Sequence, residues 1–297
     1  MSVSPGRNRG WFSKDAPSKA LLVTGLLAAI GYGCASALAQ LERIPFVDGA
    51  SWNRVQPLKV ELETVPEPEQ AYDALFSEVA LLEPGAPCPK VEAGKEGDVL
   101  VLVPGLPSDG REWWPALLQL SRTHPQAIFM FRWSADKKRD TLVDALTRGL
   151  DRLAACMVGA KRIRVIAHSA GGVLASFAAG RMRLPPKAPR VEVLTVASPL
   201  AGTAIRSEET PDPEASFVIE LGGTYPPYPG PAQGVMVIHF RTHAPADPDM
   251  RPSRSGHSPN DPQVGVRGAR EVDLPEALGH GEALAYVCAQ LGDPKSF

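Results

Sequence analysis

The chain has no marked excess of charge of either sign, since 31 Lys and Arg against 33 Asp and Glu give its 297 residues a formal net charge of −2. That balance gives no electrostatic case for a nucleic-acid partner. The sequence also lacks a GxxxxGK[ST] phosphate-binding loop, a His and Cys cluster with metal-ligand spacing, and an internal repeat. These absences disfavour nucleotide-dependent chemistry, metal-dependent chemistry and a repeat architecture.

Cysteine is scarce, with four in the whole chain: Cys34, Cys88, Cys156 and Cys288. Cys34 is a poor lipidation site, because the aliphatic residue expected three positions before it is absent. If the segment before Gln40 is removed, three cysteines remain. Three allow at most one intramolecular disulfide, and the sequence does not indicate which pair forms it.

The first 40 residues differ in character from the rest. Basic residues precede an uncharged stretch over residues 20–41, of which 20–30 is strongly apolar, and Ala37-Leu38-Ala39 is a candidate cleavage site. The apolar core has the length of a signal-peptide h-region and is shorter than the roughly 20 residues that span a bilayer. We predict an exported protein, periplasmic or secreted, that begins at Gln40. The alternative is an uncleaved membrane anchor over residues 20–41, with the remainder outside the cytoplasm.

Beyond residue 96, apolar runs typical of strands alternate with stretches at helical spacing. The unbroken run 98–103 is typical of a strand buried on both faces of a parallel sheet. The alternation predicts an α/β fold with a mostly parallel central sheet flanked by helices. Further strands are predicted over 127–133, 163–166, 191–197, 235–240 and 270–275, and helices over 113–120, 141–158, 173–179 and 279–291.

The most informative segment is the hexapeptide AHSAGG, residues 167–172, which lies between a predicted strand and a predicted helix. A nucleophilic serine requires a strained strand-to-helix turn that lifts its hydroxyl clear of the sheet. Small residues two positions before and after it let the backbones pass closely, and here these are Ala167 and Gly171. The segment predicts that Ser169 is a nucleophile. An ordinary strand-to-helix turn is the alternative.

This segment resembles the nucleophile elbow of α/β-hydrolase lipases and esterases, including small bacterial lipases that carry alanine in place of the first glycine. The resemblance covers residues 97–291, about two thirds of the chain. It implies the α/β-hydrolase fold and three further parts in a set order: an oxyanion-hole loop before the serine, then an acid, then a histidine near the C-terminus. It specifies a fold and a reaction class, and it says little about the substrate.

The oxyanion-hole loop that the resemblance implies is the turn Pro104-Gly105-Leu106 after the first strand. Lipases carry a His-Gly pair there, which this chain replaces by Pro-Gly. The backbone N–H groups of Leu106 and Ala170 are the implied oxyanion donors. Trp113 and Trp114 follow this loop and are candidates for lining a substrate pocket, with core packing as the alternative.

The acid is expected in the loop after strand 235–240. Asp247 fits the family best, with an apolar residue three positions on and a proline shortly after; Asp249 is the runner-up and Asp261 a more distant alternative. The base is expected between the last strand and the last helix, where His280 lies. The implied catalytic triad is Ser169, Asp247 and His280.

The other histidines are weaker candidates for the base. His168 neighbours the serine and is expected to point elsewhere on the elbow. His239 and His243 belong to the strand before the acid and to its loop, and His257 lies in a stretch rich in Ser, Pro and Gly. His124 precedes the nucleophile in the chain.

Residues 207–234 are rich in proline, glycine and acidic residues. We predict that they form an insertion between strands 191–197 and 235–240, which the resemblance makes the sixth and seventh core strands of the α/β-hydrolase fold. Its segment 224–230 is too dense in proline for a helix or a central strand. One interpretation is a lid over an apolar substrate channel. An ordinary surface loop is the alternative.

Together these residues predict an exported serine hydrolase that cleaves carboxylic esters through an acyl-enzyme, with no metal or cofactor. The expected partner is a small-molecule or lipid ester, with membrane association through the N-terminal segment as an alternative. Two other functions stay open: an acyltransferase that uses the same triad, and a non-catalytic binding protein built on a hydrolase fold.

The predicted organisation has three parts. Residues 1–40 are the signal peptide or anchor, residues 41–96 are an N-terminal extension of unknown role, and residues 97–297 are the catalytic domain. Within the extension, Val55–Val65 is a candidate strand and Glu69–Leu82 a candidate amphipathic helix.

Overall fold

The computed structural model describes residues 50–55, 76–82, 85–89, 97–105, 113–123, 125–134, 137–198, 200, 203–205, 218–219, 230–242, 250–252, 268–275 and 278–291. The predicted leader, Leu106 and the three candidate acids lie outside these residues.

Strands and helices follow the predicted alternation. The described strands are β1 (Ala50–Val55), β2 (Phe76–Glu78), β3 (Asp98–Val103), β4 (Ala127–Trp133), β5 (Arg162–His168), β6 (Arg190–Val196), β7 (Thr203–Ile205), β8 (Val218–Ile219), β9 (Val235–Arg241), β10 (Met250–Pro252) and β11 (Ala269–Asp273). The described helices are α1 (Trp114–Ser121), α2 (Arg139–Cys156), α3 (Ala170–Arg181) and α4 (His280–Gln290).

Eight of these strands form one sheet in the order β11-β9-β6-β5-β3-β4-β1-β2. All neighbours from β11 to β4 pair in parallel, while β1 pairs antiparallel with both β4 and β2 at one edge. β5 therefore lies near the middle, between β3 and β6. The predicted α/β architecture with a mostly parallel sheet is confirmed.

Two apolar cores cover the two faces of the sheet, because side chains alternate along each strand. In β3, Val99, Val101 and Val103 join the core formed with α2 and α3, whereas Leu100 and Leu102 join the core formed with α1 and α4. Burial on both faces explains why these strands read as unbroken apolar runs.

The segment expected as an N-terminal extension supplies the two antiparallel strands at the sheet edge. Of the strand expected over Val55–Val65, only Val55 is described, as the last described residue of β1. Phe76–Glu78 is a strand, so the amphipathic helix predicted over Glu69–Leu82 is wrong there. Pairing with a neighbouring strand has overridden the local pattern. Trp52 of β1 lies against Phe131 with ring centroids 5.2 Å apart, which anchors β1 to the core.

A disulfide joins Cys88 to Cys156, the last residue of α2. A hydrogen bond from Arg152 of α2 to the carbonyl of Ala86 holds the same segment. Cys288 is a free thiol buried in α4. The structure therefore identifies Cys88 and Cys156 as the disulfide pair, which the sequence alone did not indicate.

Most of the predicted insertion lies outside the described residues. Its strand β8 pairs antiparallel with β7, which precedes the insertion, and β7 pairs antiparallel with β10, which follows β9, giving a separate three-stranded sheet. The lid role stays a prediction. Among the described residues, no helix has the length and apolar character needed to cross a membrane.

Candidate functional site

Ser169 lies between the end of β5 and the start of α3, with backbone angles of φ 52° and ψ −128°. Among the described residues other than glycine, only Ser169 and Ala197 have positive φ. Such a conformation costs about 1–3 kcal/mol and persists only where the surrounding structure enforces it. Here a hydrogen bond from the Ser169 N–H to the Val196 carbonyl, 3.0 Å, holds the turn against β6. This is the strained strand-to-helix turn that a serine nucleophile requires.

Gly171 and Gly172 let the first turn of α3 pass close to the neighbouring strands. A Cβ on Gly171 would lie 2.2 Å from the Pro104 carbonyl oxygen and 2.5 Å from that of Val103. A Cβ on Gly172 would lie 1.8 Å from the Ser198 hydroxyl oxygen. Glycine at both positions is therefore required by close packing, which explains the small residue expected two positions after the serine.

The turn after β3 lies directly against the serine. A Cβ on Gly105 would be 2.8 Å from the Ser169 Cβ and 3.4 Å from the Ser169 hydroxyl oxygen. The described residues thus bring the start of the predicted oxyanion-hole loop to the nucleophile candidate. Leu106, the predicted donor in that loop, lies outside them, while Ala170 is the first residue of α3.

His280 is the first residue of α4. The Glu282 carboxylate accepts a hydrogen bond of 3.0 Å from the Gly279 N–H, and the Gly279 carbonyl accepts one of 3.0 Å from the Ala283 N–H. These bonds cap the helix and fix the turn that carries His280. The predicted base therefore lies on a defined backbone.

His168, the residue before the serine, connects the elbow to that turn. Its imidazole Nε2–H donates a hydrogen bond of 3.1 Å to the His280 carbonyl, and the two rings lie with centroids 4.6 Å apart. Burial, and to a smaller extent the charge of His280, lowers the pKa of the His168 imidazole from 6.5 to about 4. His168 is therefore neutral at pH 7. The expectation that it points elsewhere on the elbow missed this contact with the predicted base.

The three acid candidates, Asp247, Asp249 and Asp261, lie outside the described residues. The strand before them, β9, lies next to β6 and ends at Arg241, and the next residue, Thr242, is buried. The choice among the three stays a prediction.

The two tryptophans predicted to line a substrate pocket differ in exposure. Trp113 is fully buried in the core formed with α1 and α4, whereas Trp114 is half-buried at the start of α1. The placement of Trp113 favours the core alternative. Pocket lining by Trp114 stays a prediction.

Two residues that contact the site, His168 and Trp133, were not predicted from the sequence to do so. His168 was expected to point elsewhere on the elbow, and no local pattern in the sequence indicates that the first residue of α4 lies against it. Trp133 donates from its indole N–H to the Pro104 carbonyl at 2.9 Å. Nothing in the sequence links two residues so far apart in the chain. Among the described residues, no group of three or more His, Cys, Asp or Glu side chains could hold a metal ion.

The strand order, the crossover helices on both faces and the strained serine after a central parallel strand are features of one architecture. The chain has the α/β-hydrolase fold. No protein-family model matches it, and no curated protein is significantly similar to it in sequence.

Several solved structures of this fold are similar to the chain. The carboxylesterase CesB (YbfK) from Bacillus subtilis is 14% identical, with 68% of this chain and 84% of that chain covered and a TM-score of 0.40. Est1E from Butyrivibrio proteoclasticus is 12% identical, with 68% and 90% covered and a TM-score of 0.40. Esterase 2 from Thermogutta terrifontis is 16% identical, with 68% and 82% covered and a TM-score of 0.38.

Proposed function

We propose that this protein is a serine hydrolase that cleaves carboxylic esters. The observation that carries the proposal is the strained backbone of Ser169 at the end of β5, with Gly105 packed against its side chain. A strained backbone of this kind costs stability and is typical of functional sites, and this turn places the Ser169 hydroxyl at the carboxyl end of the parallel sheet.

In the proposed mechanism, His280 removes the proton from the Ser169 hydroxyl as its oxygen attacks the ester carbonyl. The N–H groups of Ala170 and Leu106 stabilise the oxyanion of the tetrahedral intermediate. Protonated His280 then donates its proton to the leaving alcohol, and the acyl group stays on Ser169. A water molecule, deprotonated by His280, hydrolyses this acyl-enzyme and regenerates the serine.

Asp247 is proposed as the acid that orients the His280 imidazole and stabilises its charged form. Asp247→Asn should lower kcat strongly, though less than loss of the Ser169 hydroxyl does, because a misoriented base is less damaging than a missing nucleophile, whereas Asp249→Asn should leave kcat nearly unchanged. The two substitutions remove the same charge from the same loop, so they are matched. If Asp249→Asn is the crippling change, Asp249 is the acid.

The proposal is tested with a fluorophosphonate probe and a series of p-nitrophenyl esters of increasing acyl length. We expect the probe to label the wild-type protein at Ser169, and Ser169→Ala to abolish labelling and to lower hydrolysis by at least about a thousandfold. Ser176→Ala is the matched control, because Ser176 is likewise a buried serine and its hydroxyl donates to the Gly172 carbonyl of its own helix, α3. Labelling that persists in Ser169→Ala would refute the proposal.

Product analysis with and without an added alcohol separates hydrolysis from acyl transfer. A hydrolase releases free acid as its main product in both cases. An ester of the added alcohol as the main product would identify an acyltransferase with the same nucleophile.

We also propose that the protein is exported. The Cys88–Cys156 pair supports this, because disulfides persist in oxidising compartments and are rare in the cytosol. N-terminal sequencing from the native host tests it, with Gln40 as the expected first residue. A chain that begins at Met1 and sediments with membranes would indicate the anchor instead.

A further inference from the structure

We propose that His168 is a positioning residue for the general base. Its side chain hydrogen-bonds to the backbone of His280 and so holds that residue in place relative to the nucleophile elbow. This inference depends on the proposed function, because it assigns His168 a part in the same reaction. The contact is direct: the bond from His168 Nε2–H ends on the carbonyl of His280 itself, at 3.1 Å.

The donor end of this hydrogen bond is rigid because β5, which carries His168, pairs with β3 on one side and β6 on the other. His168 pairs with Val196 of β6, and the N–H of the next residue, Ser169, donates to the Val196 carbonyl at 3.0 Å. The His168 side chain therefore starts one residue from the nucleophile, on backbone that the sheet fixes.

The acceptor of this hydrogen bond lies in the first turn of α4. α4 begins at His280, and the described hydrogen bonds of the preceding turn, to Glu282 and Ala283, are local to that turn. The bond from His168 joins this helix end to the elbow across 112 residues of sequence. Because proton transfer requires the base within hydrogen-bond reach of the serine, a small shift of this helix end lowers the rate.

The surroundings of the His168 ring favour the form in which Nε2 carries a proton and donates a hydrogen bond. Its Nδ1 is buried and has no hydrogen-bond partner among the described residues, so a proton there would be an unsatisfied buried donor. The neutral ring with its proton on Nε2 is thus favoured, in agreement with a pKa lowered to about 4. His168 keeps one tautomer and one charge over the pH range in which an ordinary histidine titrates.

Three variants separate the hydrogen bond from the ring contact. His168→Phe keeps a ring against His280 and removes the donor, His168→Gln keeps an N–H donor at similar reach and removes the ring, and His168→Leu removes both. His239→Phe is the control for loss of a buried neutral histidine, because His239 lies in β9 and bonds to Thr195. All are assayed well below their melting temperatures, with wild-type activity and probe labelling measured first.

We expect His168→Phe and His168→Leu to lower kcat by about tenfold or more with KM within about twofold of wild type, and His168→Gln to recover most of kcat. His239→Phe should lower stability with kcat unchanged. In the wild-type protein, ¹⁵N NMR of His168 should show the Nε2–H tautomer throughout pH 5–8. A folded His168→Phe with wild-type kcat, or an Nδ1–H tautomer, would overturn this inference alone. A wild-type protein that neither hydrolyses esters nor reacts with the probe would overturn the proposed function, and with it the role of His168.

Discussion

The indole N–H of Trp133 donates a hydrogen bond of 2.9 Å to the carbonyl oxygen of Pro104. The peptide bond that follows Pro104 is planar, so this bond sets the direction of the Gly105 N–H as well as of the carbonyl. Gly105 in turn lies against the Ser169 side chain. A buried side chain at the end of β4 therefore fixes the turn from which the predicted oxyanion hole begins.

Trp133→Phe should lower kcat by about tenfold, because the ring volume is mostly kept while the Pro104 carbonyl loses its donor and the turn is no longer held. Steady-state kinetics on a p-nitrophenyl ester measures the effect. Trp52→Phe is the matched control, since Trp52 is equally buried and its indole N–H has no hydrogen-bond partner among the described residues. Equal kcat losses in the two variants would show that the hydrogen bond has no special role.

Gly171→Ala should destabilise the fold by about 3 kcal/mol or more, because its Cβ meets two backbone carbonyl oxygens that belong to strand β3 and its turn. Urea unfolding at pH 7 measures this free energy. Gly159→Ala is the control, since a Cβ at Gly159 has no atom within 4 Å. A Gly171→Ala protein as stable as Gly159→Ala would contradict the close packing described for the elbow.

Much of the fold was predictable because the strands of a parallel sheet are buried on both faces. Asp98–Val103 and Ala127–Trp133 stand out as apolar runs, and the six strands predicted beyond residue 96 lie within about two residues of their expected bounds, whereas β7, β8 and β10 were not predicted. The edge strand Phe76–Glu78 was not predictable, because it depends on pairing with β1 and not on its own pattern.

The candidate site was predictable where sequence neighbours create it and not where distant elements meet. The elbow at Ser169 follows from local order alone: a strand, small residues, then a helix. The bonds from His168 to His280 and from Trp133 to Pro104 depend on how α4 and β4 pack against the ends of β5 and β3. No spacing in the sequence encodes those contacts.

Stability should fall with acid below about pH 6.5, because His168 and His239 are buried in neutral form. Burial, with a smaller effect of the Arg241 charge, lowers the pKa of His239 from 6.5 to about 4, as burial does for His168. Between pH 6.5 and 4 the unfolded chain binds a proton at each histidine that the folded chain does not. Each therefore contributes stability that is present above pH 6.5 and lost as the pH falls toward 4, up to about 3 kcal/mol.

Urea unfolding from pH 8 to pH 4 measures this loss. His239→Asn keeps a polar group beside Thr195 and cannot titrate, so its stability should decline less steeply with acid than that of the wild type. Parallel pH curves for the two proteins would show that His239 does not contribute to the acid sensitivity.

Reduction of the Cys88–Cys156 disulfide should lower the free energy of unfolding by about 4 kcal/mol, because the bond closes a loop across a sequence separation of 68 residues and restricts the unfolded chain. Urea unfolding with and without dithiothreitol measures the difference. The double variant Cys88→Ser, Cys156→Ser should match the reduced wild type and should not respond to dithiothreitol, since its remaining described cysteine, Cys288, is free and buried. Burial raises the pKa of the Cys288 thiol, so it is neutral and a poor nucleophile for disulfide exchange. A wild-type protein whose stability does not change with dithiothreitol, after mass spectrometry has shown that the bond is reduced, would contradict this role for the disulfide.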